Sequence, residues 1–587
     1  MHKRQLKKQQ QNFTLSIINA ALIIILIVPL SLFTGCSPDE DITLPTPYSE
    51  PIDIPTQDEI LPYEEPPELP EPQILRFGAT EINGNFNPIM SSNIYDNYIT
   101  SLIFEPLIIS DHQGLPIPYL ATWEISNNNL TYTFTLKDGI TFSDGAPLTT
   151  ADVAFTFKTM AHSYYTGPRS YSVSHWLGYD EFKAGVTNEF AAIEILGEKT
   201  IAFHMQEGTA NPANIWSFAY GIMPKHIYDF DNWDEFLGML STPIGSGKFI
   251  FDQWVSNEFV SLSRNEYYWN YSEFPEIDGI LFLEISEENL LSAFENDEID
   301  IARPLSDKNN YSVFSALPTA QVITVLDNGY QFLQFNTLRP QLNDYRVRQA
   351  LVYAFDRQAY IDVQLGALGS VGMAPISPAS WAFPTRGIND YAFNPDRARE
   401  LMTEAGWEPG DDGILTRNGI RMELDWLVYT DVPWPAVIAE LAYDSWGQIG
   451  VALNIIHMDF DTVAAGTMNA EPGEKDFDIF TMGFRLGIDP DPSGGLYDYS
   501  AFIAGGLNAS GYFSERAQEL LDLGITTFDQ SERAAIYQEW SEIMTQSLPT
   551  VIIAYRYTLW VVSDRVQSID ISTFRQWHYN ISNVTLI

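Results

Sequence analysis

At 587 residues, with 45% hydrophobic and 18% charged content, the chain is long enough for two or three core-forming units. Its 77 Asp and Glu against 31 Lys and Arg leave a net charge of −46. The excess is spread over the whole length, which reads as a solubility trait; it argues against nucleic acid, because nothing offers the clustered Lys and Arg that phosphate contacts need, and it disfavours adsorption of the folded part to anionic lipid.

The first element is a targeting segment, residues 1–36. His2, Lys3, Arg4, Lys7 and Lys8 form a positive leader, Phe13 to Gly35 carries no charge, and Leu22 to Leu30 is almost wholly aliphatic. Leu32-Phe33-Thr34-Gly35-Cys36 then resembles a bacterial lipobox, with Phe33 where Leu is usual. In that motif the Cys thiol is diacylated and becomes the mature N-terminus, a stable anchor because two or more acyl chains hold where one does not. The other reading is an uncleaved signal anchor, since the apolar run is long enough to span a bilayer. Both place the folded part outside the cytoplasm. Cys36 is the only cysteine, so no disulfide braces the fold. Residues 37–73 are a tether, dense in Pro and carboxylates and free of basic residues. That composition cannot bury enough apolar surface to order itself and stays extended.

Ile74 to Phe77 reads as the first strand, Asn87-Pro88 as a turn, and Tyr95 to Ile109 as an apolar helix-like pattern broken at Pro106. Leu130, Tyr132, Phe134 and Leu136 alternate with polar residues, the period of a strand. Asp138-Gly139 and Asp144-Gly145 are tight-turn dipeptides. Thr149 with Asp152 forms the start of a capped helix that opens onto Val153 and Phe157. From Thr159 to Asp229 the chain is aromatic-rich and insert-like. The glycines of Thr242-Pro243-Ile244-Gly245-Ser246-Gly247 suit a close crossing of the chain between lobes. Asp344 caps a helix with Val347, Ala350, Leu351, Ala354 and Phe355 on one face, and leaves Arg346 and Arg348 off it, paired across the helix. Asn394-Pro395 opens another helix that Gly406 ends. Met422 to Val428, Pro435 to Gly447 and Val451 to Ile455 read strand, helix, strand, a βαβ unit. Two more helices, Ser514–Leu523 and Ser531–Met544, lead into a strand Val551–Tyr555.

Catalytic patterns do not emerge. There is no G-x-S-x-G, H-E-x-x-H or P-loop, and the lone Cys lies in the targeting segment. Carboxylate pairs are too common in so acidic a chain to mark a glycosidase. His112, His162, His175, His204, His226, His457 and His578 show no i, i+3 or i, i+4 pairing, so no metal site and no cofactor are expected. A hydrolase therefore stands only as a remote alternative.

Several blocks, in order, resemble the family 5 extracellular solute-binding proteins, the oligopeptide/dipeptide/nickel-binding class of ABC importers. Leu120–Lys158 is similar to the family's opening signature, with Asn97–Asp111 before it. Ile222–Ile227, Thr242–Phe249, Ser263–Trp269, Leu291–Ile301, Gln334–Arg357 and Asn394–Trp407 follow. The resemblance covers about Leu75 to Ile587. It implies an α/β, periplasmic-binding-protein-like fold: two α/β lobes joined by a hinge, plus a smaller extra domain. The implied division is 74–117, 241–340 and 554–587 for lobe I, 118–240 for the extra domain and 341–553 for lobe II. It also implies capture of an oligopeptide between the lobes and partnership with permease subunits and their ATPase. An oligosaccharide, a metal chelate or a peptide-sensing role stand as alternatives.

The best site candidate is the loop after Phe477–Met482, with Phe484, Arg485, Leu486, Gly487, Asp489 and Asp491. Ligands gather beyond strand ends in α/β lobes, and its glycines expose backbone groups that an extended peptide could use as a sheet edge. The resemblance implies a carboxylate here for a peptide's α-amine, at Leu486 or Gly487 by position; neither is acidic, so Asp489 or Asp491 would have to substitute, unless Asp-Pro is turn chemistry alone. Arg485 points to an acidic group on the ligand. Trp381, Trp434, Tyr95 and Asn93 fall near positions that line the family's cleft.

Overall fold

The computed structural model describes residues 71–587. The targeting segment, Cys36 and the tether as far as residue 70 lie outside the described residues.

A twelve-stranded mixed sheet organises the chain. Its strands, in chain order, are β1 (Ile74–Ala79), β2 (Phe249–Val255), β3 (Phe259–Arg264), β4 (Gly279–Glu284), β5 (Ile301–Ala302), β6 (Ala320–Leu326), β7 (Gly329–Phe335), β8 (Glu423–Tyr429), β9 (Ala452–Met458), β10 (Ile479–Arg485) and β11 (Thr550–Ser563), with the short strand Gly369–Val371 also on β11. The path runs β9-β8-β10-β7-β11-β5-β1-β4-β3-β2, with β6 also paired to β11. β8 and β9 are parallel and are joined by helix Trp434–Gly447, the expected βαβ unit.

Each half of the sheet has its own cores. All seven residues of β7 are buried, and their period-2 alternation divides them: Leu333 and Phe335 join one core with Trp426 and Trp446, while Tyr330 and Phe332 join another with Phe480 and Trp540. The buried Gln residues between them are satisfied; Gln331 accepts from Tyr360 Oη at 2.7 Å and Gln334 donates to Thr550 Oγ1 at 3.1 Å. On the other half, β1 places Phe77 against Tyr98, Phe282, Trp560 and Trp577.

A separate antiparallel sheet, in the order Ala121–Ile125, Thr131–Leu136, Thr200–His204, Ile193–Ile195, forms the inserted unit. Its helix, Thr150–Met160, begins with a capping box: Thr149 N donates to Asp152 Oδ2 at 2.9 Å while the Thr149 hydroxyl accepts from Ala151 N. Gly139 and Gly145 take the positive φ their turns require, 76° and 86°.

Three sequence expectations differ locally. Gly245 and Gly247 pack against the end of α1 (Ile94–Ile103) rather than between lobes: Gly247 N donates to Ile103 O at 2.7 Å. Any Cβ at either glycine would strike the Leu102 or Ile103 carbonyl. Arg348 is buried and does not pair across its helix; its guanidinium donates to Leu342 O, Ser547 O and Leu548 O. Two of those carbonyls close the end of helix Gln530–Ser547, where the last C=O groups lack intrahelical donors. Finally, β11 is fourteen residues long and outruns the expected Val551–Tyr555, because its far half finds new partners in β5 and β6.

Candidate functional site

Two chain segments pass from one half of the sheet to the other, and the cleft sits where they pass. β11 pairs β7 near Thr550–Ala554 and β6 over Tyr557–Ser563. β6 and β7 are consecutive, but they lie end to end along β11 rather than folding back as a hairpin. Leu326 faces Tyr557 and Gln331 faces Ala554, so residues 327–330 stand opposite only Tyr555 and Arg556. The surplus is absorbed in a kink: Asp327 N donates to Arg556 O at 2.8 Å and Gly329 N to Asp327 O at 2.7 Å. β11 is buried at both ends but half-exposed at Arg556, Tyr557 and Thr558. The strand's interior thus opens only at Arg556–Thr558, between stretches buried in separate cores.

Two cavities meet at that opening. One, of about 310 Å³, is walled by Asn93, Tyr95, Glu287, Arg303, Asp327 and Arg556 among others. The second, of about 240 Å³, is walled by Tyr98, Arg303, Asp327, Arg485, Leu486, Trp560 and Trp577 among others. Arg303, Asp327 and Thr558 line both. Both are in or near the usual size range for ligand sites, roughly 300–1,000 Å³.

α1 fixes the first wall. Asn93 is its N-cap, accepting from Tyr95 N at 2.7 Å and Asp96 N at 3.2 Å, and this turns Tyr95 inward, where its hydroxyl approaches Thr80 Oγ1 at 3.3 Å. One turn on, Tyr98 lies between Trp560 and Trp577, with ring centroids 5.9 and 6.3 Å away. Burial raises the Tyr98 phenol to about 12, partly offset by Arg303.

The expected loop divides on inspection. Phe484 and Arg485 belong to β10, paired to Tyr330 and Gly329 of β7. Phe484 packs against Tyr330 in a tilted pair with centroids 5.8 Å apart, and Arg485 faces the second cavity from the strand's end. Leu486 reaches the same cavity, but Asn328 occupies its carbonyl and that of Gly487, donating at 3.1 and 2.7 Å. Asp489 is committed elsewhere: both its oxygens accept from Arg533 at 2.7 Å, in a pair whose side chains are 13% and 3% exposed. Burial works to lower the Arg533 pKa, and Asp489 outweighs it and raises it. Asp491 accepts from Ser493 N at 2.9 Å and Ser493 Oγ at 2.7 Å, an Asx turn, and burial raises its pKa. Trp381 lies beside Arg533, with the guanidinium 5.8 Å above its ring, and Trp434 packs edge-on to Tyr429 at 5.8 Å. The structure thus gathers Asn93, Tyr95, Arg485 and Leu486 around the two cavities. Phe484, Gly487, Asp489, Asp491, Trp381 and Trp434 are not among the residues lining these two cavities.

Arg303, Asp327 and Arg556 escaped sequence reasoning. The one local signal was Asn328-Gly329 between two apolar runs, a turn dipeptide, which here makes a crossover kink. One backbone feature fits the sheet-edge expectation. β10 pairs along its whole length with β7, but with β8 only at Ile479 and Phe480. Among the described residues no strand covers the other edge of Met482–Arg485.

The described residues hold no group of three or more His, Cys, Asp or Glu arranged to bind a metal ion.

Comparison with known proteins gives a match of residues 116–502 to the model of the bacterial extracellular solute-binding proteins, family 5 middle region. The chain is 25% identical over 480 residues to the oligopeptide-binding protein AppA of Bacillus subtilis, covering 80% of this chain and 84% of AppA. It is also 25% identical over 487 residues to heme-binding protein A of Haemophilus influenzae, covering 78% and 82%. Among solved structures, the fold is shared with MppA, a periplasmic murein tripeptide-binding protein in an unliganded open form (TM-score 0.75, 19% identity, 88% of this chain and 98% of that one). It is shared too with Bacillus subtilis AppA in complex with a nonapeptide (TM-score 0.60, 22% identity, 88% and 100%).

Proposed function

Because the chain belongs to the bacterial extracellular solute-binding proteins of family 5, we propose that it is the capturing receptor of an ABC importer, closing two lobes over an extracellular oligopeptide and handing it to membrane permease subunits coupled to an ATPase. The observation that carries the peptide is the uncovered edge of Met482–Arg485 beside the cleft. An extended chain added there gains main-chain hydrogen bonds without sequence demand, and at Arg485 it reaches the second cavity. Asp327 is half-buried in the cleft with no side-chain hydrogen bond, and suits a ligand ammonium; Asp489 and Asp491 are already engaged. Lobe closure would turn on the kink at Asp327–Asn328 and on Arg556–Thr558. This division moves Gly329–Phe335 into the half-sheet that holds β10.

The Leu32–Cys36 string supports lipid anchoring at Cys36 on the outer face of the membrane; metabolic labelling with a fatty-acid analogue should mark the native chain and leave Cys36→Ser unmarked. Capture without turnover is the reading throughout. The second cavity is lined in part by Tyr98, with the nearly buried Trp560 and Trp577 behind it, which keeps a sugar ring or planar chelate as the second reading. Native mass spectrometry of the full-length chain purified in detergent separates these: a ladder of co-purified peptides supports the proposal, and a single sugar or chelate sinks it.

A further inference from the structure

The cationic side chains that take part in no hydrogen bond or ion pair among the described residues are Lys137, Lys158, Arg303, Arg386, Arg485 and Arg556. Lys137 and Lys158 lie over aromatic rings outside the cleft, and Arg386 is exposed and lines neither cavity; Arg303 also lies over a ring, that of Trp560 at 5.9 Å, but within the cleft and with its N–H groups free. Arg303, Arg485 and Arg556 line the two joined cavities. Arg303 and Arg556 are half-buried, so each forgoes part of its hydration without a counter-ion, which is costly. Scarcity of partners is not the reason, for this chain carries 77 carboxylates. The cleft carboxylates do not quench them. Glu287 accepts from Leu305 N and Asn310 Nδ2, Glu81 is exposed at the rim, and Asp327 is paired with none of the three. In the second cavity Arg575 reaches Asp570 only at 3.5 Å and leaves Nε without a partner.

We infer that the cleft selects acidic oligopeptides, whose carboxylates complete the hydrogen-bonding of Arg303, Arg485 and Arg556. This rests on the proposed function for the ligand being a peptide. Guanidinium forks match carboxylates in two-point geometry, and a site built to receive them rejects a ligand that leaves them bare. A net charge of −46 repels acidic peptides in general, and the arginines of the cleft offset that repulsion where the ligand would sit.

The test is calorimetry on the full-length chain in detergent with length-matched peptides of alanine alone, alternating alanine and glutamate, and alternating alanine and lysine. The glutamate peptide is expected to bind at least tenfold more tightly than the alanine peptide, with an advantage that shrinks as salt rises. Arg303→Ala and Arg485→Ala should each cut the glutamate-to-alanine affinity ratio severalfold, and Arg485→Ala, at an exposed position, should do so without lowering the melting temperature. Equal affinity for the alanine and glutamate peptides, or a preference that survives both substitutions, overturns the inference and leaves the receptor reading intact. Binding of no peptide of any charge, with a sugar or a non-peptide polycarboxylate bound instead, overturns both.

Discussion

Arg533 and Asp489 show how a residue's surroundings settle its role. The pair is nearly sealed from solvent, so Asp489→Ala leaves an uncompensated buried guanidinium. A loss of about 3–5 kcal/mol in urea-unfolding free energy is expected, typical of breaking a buried pair from one side. Arg485→Ala, exposed at the end of β10, should leave the same curve within about 0.5 kcal/mol while lowering ligand affinity. If Asp489 served the ligand directly, the two variants would behave alike. His578 gives a second prediction. Burial, with Lys248 nearby, pushes its pKa down from 6.5 to about 3, and its Nε2 meets Ser101 Oγ at 2.8 Å. The imidazole is therefore neutral in the folded chain, and below pH 6.5 the unfolded chain takes up the proton first. Its contribution to stability is complete above pH 6.5 and is lost as pH falls toward 3. Melting temperatures measured between pH 7.5 and 4.5 should fall further for the native chain than for His578→Gln; parallel curves would refute this.

At the scale of elements, sequence and structure agree where the physics is local. The Thr149 capping box was legible because a cap needs only residues three apart, and Thr149→Ala should cost about 1 kcal/mol of unfolding free energy. The alternation of Thr131–Leu136, the N-caps Asp344 and Asn394, and the parallel strands flanking Trp434–Gly447 were legible for the same reason. Gly247 was legible as a close crossing but not in what it meets: its neighbour is the end of α1, more than a hundred residues earlier in sequence. Gly247→Ala should lower stability by about 1–3 kcal/mol in the same denaturation experiment, since the added methyl meets backbone that cannot yield as a side chain could. β10 and β11 were read too short, because the residues that extend them owe their strand state to partners elsewhere in the chain.

The whole molecule couples these parts through two crossings, β6 to β7 and the middle of β11. With few chains joining the halves, a ligand that touches both should shift the equilibrium toward closure. A bound peptide at one hundred times its Kd should add about 2.7 kcal/mol to unfolding free energy and reduce the radius of gyration in small-angle scattering. An unchanged radius at saturation would count against closure as the capture step. Sequence alone determined the kinds and order of most elements and the family, since each depends on neighbouring residues or on blocks whose order survives divergence. Tertiary structure decided which charges are spent and which stand free. Asp489 and Arg485 lie four residues apart and look equally available in the sequence, but one is neutralised by an arginine 44 residues on and the other opens onto a cleft with Arg303 and Arg556. The physical reason is that ion pairing and desolvation depend on distance in space, and strand register, set far along the chain, fixes that distance.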